Sequence, residues 1–325
     1  MSDHVYAGID LGGTKILVLL ATEDGRIIGD ARLATHAAEG PGPVIARIVA
    51  AVREAADEAG IGMDDVRGAG VSAPGPIDRD EGVITQPPNL PGWDHVELAK
   101  IIRSELGVRA WLENDANCQA IAEHRYGAGR GYRDMIFLTV STGIGGGIII
   151  DNRLYVGASG AAGELGHLIV SPEGPACGAG HIGCLEAYAS GTAIARRAAE
   201  LVRAGRLPRT ARLAEQTPPL AAHHVHMAAD QGETEALEII HAAGRYLGLG
   251  LATLIHAFNP QAIVLGGGLI NIGEDLLGPA RETARQRTFV QSWDDAQIIE
   301  GELGERSAAL GAIAVAHARL AGEEA

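Results

Sequence analysis

The chain has 325 residues, more than one ordinary core accommodates and about right for two domains. Hydrophobic residues make up 46% and charged ones 21%, a globular balance that excludes disordered and fibrous classes. The net charge of -15 argues against nucleic-acid or anionic-membrane partners, and three cysteines, Cys118, Cys177 and Cys184, build no disulfide framework and point to reducing cytosol.

At the start, Met1-Ser2-Asp3-His4 lacks the basic-then-apolar pattern of a secretory leader. Residues 5–10, 15–21 and 26–31 read as an antiparallel meander of three short strands, joined by Leu11-Gly12-Gly13-Thr14 and Glu23-Asp24-Gly25. Ile45, Ile48, Val49 and Val52 lie on one face of a predicted helix that Pro43 opens and Gly60 caps. A strand at 68–72 follows, then a helix ending near Leu106 with Asp94 and Glu97 as its capping box, then a strand at 108–112. A second unit begins at Met135, where the apolar strand 135–140 runs through Ser141-Thr-Gly-Ile-Gly-Gly-Gly147 into 148–150. Its likeness to Gly8-Ile-Asp-Leu-Gly-Gly-Thr14 points to a degenerate internal duplication. Helices are predicted over 193–204 and 234–257, with a surface connection from Pro208 to about Ala222. A last strand at 262–265 ends in Gly266-Gly267-Gly268, and no apolar run nears the ~20 residues of a membrane span.

Glycine is roughly double its ~7% average usage, and three of its clusters, at 12–13, 143–147 and 266–268, each follow a predicted strand. Amide groups in such turns can cradle phosphate, and the absence of a side chain lets it approach. Gly178-x-Gly180-x-x-Gly183 spells a dinucleotide fingerprint, but the loop-like residues before it deny it the strand that motif needs. Asp115, in Glu113-Asn-Asp-Ala-Asn117, reads either as a helix N-cap or as a ligand-facing carboxylate at a strand's end. Pro87 to Trp93 and Gly163 to His167 add amide and carboxylate groups suited to a small polyhydroxylated ligand. His223, His224 and His226 read as a solvated surface run, and Cys118 as a small buried side chain.

Together Asp10-Leu-Gly-Gly-Thr-Lys15, Ala73-Pro-Gly-Pro-Ile-Asp78, Pro88-Asn-Leu-Pro-Gly-Trp93, Glu113-Asn-Asp-Ala-Asn117, Ser141-Thr-Gly-Ile-Gly-Gly-Gly147, Gly163-Glu-Leu-Gly-His167 and Gly183-Cys-Leu-Glu-Ala-Tyr188 resemble the ROK family of sugar kinases, most closely its ATP-dependent glucokinases. The resemblance implies an α/β, actin-like or ribonuclease-H-like fold of two lobes, with ATP and sugar meeting in the cleft. One lobe is expected to be 1–114 completed by a C-terminal helix in 305–325, the other 115–304. The implied reaction is transfer of the γ-phosphoryl of ATP to the 6-hydroxyl of glucose. N-acetylglucosamine, N-acetylmannosamine or fructose is the alternative acceptor, and a sugar-responsive repressor the alternative class. Residue by residue, the resemblance makes Asp115 the base. Asn89, Asn114, Glu164, His167 and Glu186 become sugar contacts. Asp10, with Mg²⁺, and Gly12, Gly13, Thr14, Lys15, Thr142 and Gly143 face the phosphates, and Gly266 and Gly267 the adenosine. A cytoplasmic homodimer or homotetramer is implied.

The family's usual zinc loop, Cys-x-Cys-Gly-x-x-Gly-Cys-x-Glu after a Gly-His, is matched here at His167, Cys177 and Cys184, but Ala179 stands where the central cysteine belongs. Either His181 completes a Cys₂His₂ set for Zn²⁺, or the metal is weakened or absent and packing holds the loop.

Overall fold

The computed structural model describes residues 4–322, so Met1 to Asp3, used in reading the leader, lie outside them. The chain forms two compact units. One consists of Met1–Arg133, Gly147–Gly163 and Gly301–Ala325, the other of Asp134–Gly146 and Glu164–Glu300.

In the first unit, β1 (Val5–Leu11), β2 (Lys15–Thr22) and β3 (Ile27–Ala34) are the expected meander. Next come α1 (Pro41–Ala59), β4 (Val66–Ala73), a small hairpin of β5 (Ile77–Asp78) and β6 (Val83–Ile84), α2 (Leu98–Leu106), β7 (Ala110–Asn114) and α3 (Asp115–Tyr126). β4 pairs parallel to β1, and β7 parallel to β4, in the order β3-β2-β1-β4-β7. Alternation decides which face each side chain covers. Ile9, Leu11, Ile16, Val18 and Leu20 join Ile48 and Val52 of α1 and Leu98 and Ile102 of α2 in one core, while Tyr6, Leu17 and Leu19 face the other way.

The remaining strands are β8 (Met135–Val140), β9 (Ile144–Ile150), β10 (Arg153–Leu154), β11 (Ala262–Gly266) and β12 (Gln297–Glu300). They take the order β10-β9-β8-β11-β12, with β11 parallel to both β8 and β12. Strand for strand this repeats the first sheet, so the duplication exists as topology. The helices are α4 (Glu186–Ala189), α5 (Gly191–Arg203), α6 (Pro208–Gln216), α7 (Ala222–Asp230), α8 (Thr234–Phe258), α9 (Glu274–Arg287) and α10 (Val290–Asp295). α11 (Ser307–Ala321) returns to the first sheet's second face, where Leu310 and Ile313 meet Tyr6, Leu17 and Leu19. The approach is very close: a Cβ on Gly70 of β4 would lie 1.8 Å from Ala312 O.

Four local expectations are corrected. The stretch after Pro208 is not all connection but begins with α6, because the carboxylate of Glu233 accepts from Arg209 N at 2.8 Å and Thr210 N at 3.0 Å and so caps it from outside. His224 is buried, not solvated; its ring accepts from Ala221 N at 3.0 Å and pairs with Thr217 Oγ1 at 2.8 Å. No capping box starts α2, whose N-cap is Glu97, and Asp94 instead accepts from Gln86 Nε2 at 3.2 Å. Most of the 143–147 run is strand, not turn: Gly145 to Gly147 lie in β9, where a Cβ on Gly147 would fall 2.5 Å from Ala120 Cβ. α1 opens at Pro41, slightly before Pro43, and Gly60 caps it in the left-handed region as expected.

Candidate active site

Asp10 sits at the C-terminal end of β1, in register with Ser72 of β4, whose hydroxyl donates to Asp10 Oδ1 at 3.3 Å. Withdrawal from bulk water first, and the charge of Asp115 second, push its carboxyl up to about 6, with Lys15 acting against them. The chain then turns back, Gly12 N donating to Lys15 O at 3.0 Å and Thr35 Oγ1 to Gly12 O at 2.7 Å. This fixes Gly12, Gly13 and Thr14 as a tight hairpin loop. Gly13 lies directly on Asn89: a Cβ there would be 3.0 Å from Asn89 O. Lys15 Nζ is 3.1 Å from Glu305, which Arg32 also meets at 3.1 Å.

At the β7–α3 corner Asp115 is not the helix N-cap. Asn114 is the N-cap, its Oδ1 accepting from Ala116 N at 2.9 Å and Asn117 N at 3.3 Å. Asp115 is the first helical residue, half-buried, with Oδ1 accepting from Ala116 N at 2.8 Å. A negative side chain there suits the positive end of the helix dipole. Glu113 behind them is buried, and its Oε1 accepts from Asn114 N and Asn117 Nδ2, each at 3.0 Å.

In the second unit the Ser141–Gly143 turn is held at the start of α5, where Gly191 N donates to Ser141 O at 2.8 Å and Thr192 Oγ1 to Thr142 O at 2.8 Å. Glu186, opening α4, accepts from Ile144 N at 3.1 Å. Its carboxylate fills the space that a side chain at position 143 would need, since a Cβ on Gly143 would lie 2.6 Å from Oε2. Gly266 ends β11, and Gly267 lies against the end of β8, where a Cβ would be 2.4 Å from Val140 O.

The cysteine loop folds back on itself, Cys177 N donating to His181 O and Gly180 N to Cys177 O, both at 2.9 Å. One ligand atom from each of His167, Cys177, His181 and Cys184 lies within 4.8 Å of all the others. Their donor types fit a structural Zn²⁺, whose preferred set is four thiolate and imidazole ligands. His167 Nδ1 is 3.6 Å from Cys177 Sγ, while its Nε2 is 3.9 Å from the Glu164 carboxylate. One ring nitrogen thus faces the cluster and the other a carboxylate, the usual outer support of a metal-binding histidine.

The sequence profile of the ROK family matches residues 6–319, nearly the whole described chain. The chain belongs to the ROK family. Among curated ROK relatives, a glucokinase of Thermotoga maritima is 36% identical, the match covering 97% of this chain and 98% of the relative. Among solved ROK structures, a hexokinase of Thermus thermophilus has TM-score 0.84 and 36% identity, covering 98% of this chain and 99% of its own. A ROK glucokinase of Streptomyces griseus, solved in complex with glucose and AMPPNP, has TM-score 0.81 and 35% identity, covering 96% and 99%. The fold is the actin-like, two-lobed one of the ROK sugar kinases.

Of the residues that the ROK resemblance singles out, the first unit puts Asp115 within reach of Asp10 by charge and Gly13 directly on Asn89. The second pairs Gly143 with Glu186 and gathers the four loop ligands, with Glu164 beside His167. Three neighbours of this ROK site have no role in the sequence reading: Ser72 on Asp10, Glu305 on Lys15, and Glu113. Ser72 had a readable signal, since it ends a predicted strand at the edge where α/β folds place ligand groups.

Proposed function

We propose that this ROK chain is an ATP-dependent glucokinase, moving the γ-phosphoryl of ATP to the 6-hydroxyl of glucose. The observation that carries the reading is that Asp115 lies near enough to Asp10, beside the Gly12–Gly13 hairpin, for its charge to raise the Asp10 carboxyl, in a chain matched end to end by glucokinases. A glucose hydroxyl is a weak nucleophile, and Asp115 accepts its proton as the oxygen attacks the γ-phosphorus and the bond to the bridging oxygen of ADP breaks. Separating capping from Asp115 suits that role, because Asn114 carries most of the load at the helix start.

Asn89, Asn114, Glu164 and Glu186 serve as sugar contacts, with His167 assigned to the sugar or to the metal by its two differently facing nitrogens. Backbone amides at Gly12, Gly13 and Gly143, with Thr14, Lys15 and Thr142, receive the phosphates, and Gly266 and Gly267 the adenosine. Mg²⁺ supplies neutralisation of the phosphoryl charge, and Asp10 fits it, since the nearby charge of Asp115 makes a cation favourable there. Zn²⁺ held by His167, Cys177, His181 and Cys184 braces the loop that ends at Glu186. The same reading describes a cytoplasmic homodimer or homotetramer without a nucleic-acid partner, in keeping with the charge of -15.

Phosphorus NMR of the product tests the reaction. Glucose, ATP and Mg²⁺ should yield glucose 6-phosphate and ADP in equal amounts; ATP hydrolysis with no phosphorylated sugar contradicts the proposal.

A further inference from the structure

The motif Ala73-Pro-Gly-Pro-Ile-Asp78 has no task in the proposed reaction, yet the hairpin that it opens carries Arg79 to the β7–α3 corner. That hairpin is tied down on both sides of Arg79. Asp78 Oδ1 accepts from Asp80 N at 3.1 Å and Glu81 N at 3.0 Å, and Thr85 N and Oγ1 both donate to Pro76 O, at 3.1 and 2.9 Å. Arg79 Nη2 then lies 2.8 Å from Glu113 Oε2, with only 16% of the Arg79 side chain and 2% of the Glu113 side chain exposed.

The pair is not built like a stabilising device. Arg79 Nε is buried with no partner, and Glu113 Oε2 has the guanidinium nearby but no aligned hydrogen bond. A buried ion pair so incompletely satisfied recovers little of its desolvation cost, and a packed apolar pair of similar volume is often at least as stable. What it does fix is position. The other oxygen of Glu113 holds Asn114 N and Asn117 Nδ2, and Asn114 and Asn117 frame the first turn of α3, where Asp115 stands. Without Arg79, Glu113 becomes a lone buried charge that must take up a proton or admit water, and either change loosens its hold on that turn.

We propose that Arg79 is a positioning residue for phosphoryl transfer, acting through Glu113 to set the β7–α3 corner and thereby the carboxylate of Asp115. The inference rests on the reading of Asp115 as the base. A base displaced by about 1 Å costs on the order of 10²-fold in turnover, while sugar affinity, spread over several contacts, changes far less.

The test compares Arg79→Met, Arg79→Lys, the double variant Arg79→Met/Glu113→Gln and Asp115→Asn, measuring kcat, glucose Kd by calorimetry, and Tm. Arg79→Met should lose about 10- to 100-fold in kcat with glucose Kd within about threefold of the parent. Arg79→Lys, which keeps the charge, should recover most of that loss. The double variant, freed of the lone charge, should regain Tm, but not kcat, because the amide at position 113 is no longer anchored by the guanidinium. Parental kcat per folded molecule in Arg79→Met or in the double variant overturns the proposal and leaves the pair a fold element. Weakening of Kd in step with kcat overturns it too, since the pair would then serve the sugar contact at Asn114 and not the base. If Asp115→Asn itself keeps parental kcat, the base reading falls and this proposal with it; an inactive Asp115→Asn beside a fully active Arg79→Met ends this proposal alone.

Discussion

Asn114 caps α3 through its side-chain oxygen, and Asp115 follows it as the first residue of the helix. Helix capping and the proposed proton transfer therefore fall on adjacent side chains and can be separated by substitution. Asp115→Asn is nearly isosteric, and it should lose about 10²- to 10⁴-fold in kcat while keeping Tm and most of the glucose affinity. Asn114→Ala should instead lose roughly 0.5–2 kcal/mol of stability, the usual cost of an N-cap. Thermal melts alongside steady-state kinetics check both; a lower Tm with intact turnover in Asp115→Asn would reverse the two roles.

Asp10 makes folding depend on pH in a direction opposite to that of an ordinary paired carboxylate. Burial and the charge of Asp115 push its folded carboxyl up to about 6 from the ordinary 3.8. Between these pH values the folded chain retains a proton that the unfolded chain has lost, so this group's effect on stability worsens as pH rises from about 4 to about 6. Above that range the full cost is roughly 2–3 kcal/mol. In the absence of Mg²⁺ and ATP, Asp10→Asn should therefore melt higher than the parent near pH 7.5 and alike near pH 4, while turnover is lost. Equal Tm differences at both pH values would show that Asp10 is not strained by its surroundings.

How legible each feature was depended on whether its cause is local. Strands 135–140 and 262–265 read correctly because strands buried on both faces are nearly continuous apolar runs. The helix after Pro208 did not, because its cap is Glu233, over twenty residues downstream and recognisable only once the chain has folded. His224 looked like surface because its polar partners, Thr217 and the Ala221 amide, lie in a connection without periodicity. At the site, the glycine-rich turns, a strand-end position and the ROK resemblance made Asp10, Asp115 and Gly143 candidates, but Ser72 meets Asp10 only through sheet register, and Arg79 and Glu305 meet Glu113 and Lys15 only through long side chains.

Gly143 is the place where a single methyl group should perturb the sugar side without unfolding the chain. The atom it would meet, Glu186 Oε2, is the end of a flexible side chain and can swing away. Gly143→Ala should keep its Tm within a few degrees but raise the glucose KM, by about 10-fold if Glu186 holds a sugar hydroxyl through a charge-assisted hydrogen bond. Unchanged KM with normal folding would remove Glu186 from the sugar contacts.

For the cysteine loop, elemental analysis of protein purified without an affinity tag should find close to one zinc per chain, and His181→Ala should lose most of it. Fewer than about 0.2 zinc per chain in the parent contradicts a four-ligand site. Near-stoichiometric zinc in His181→Ala excludes His181 as the ligand that compensates for Ala179.

The most direct test of the account is ADP release with Mg²⁺ and ATP across a panel of hexoses, each taken to saturation. The account predicts that glucose leads in kcat/KM, well above N-acetylglucosamine, N-acetylmannosamine and fructose. An amino sugar or fructose in first place, or no hexose-dependent ADP release at all, would contradict it.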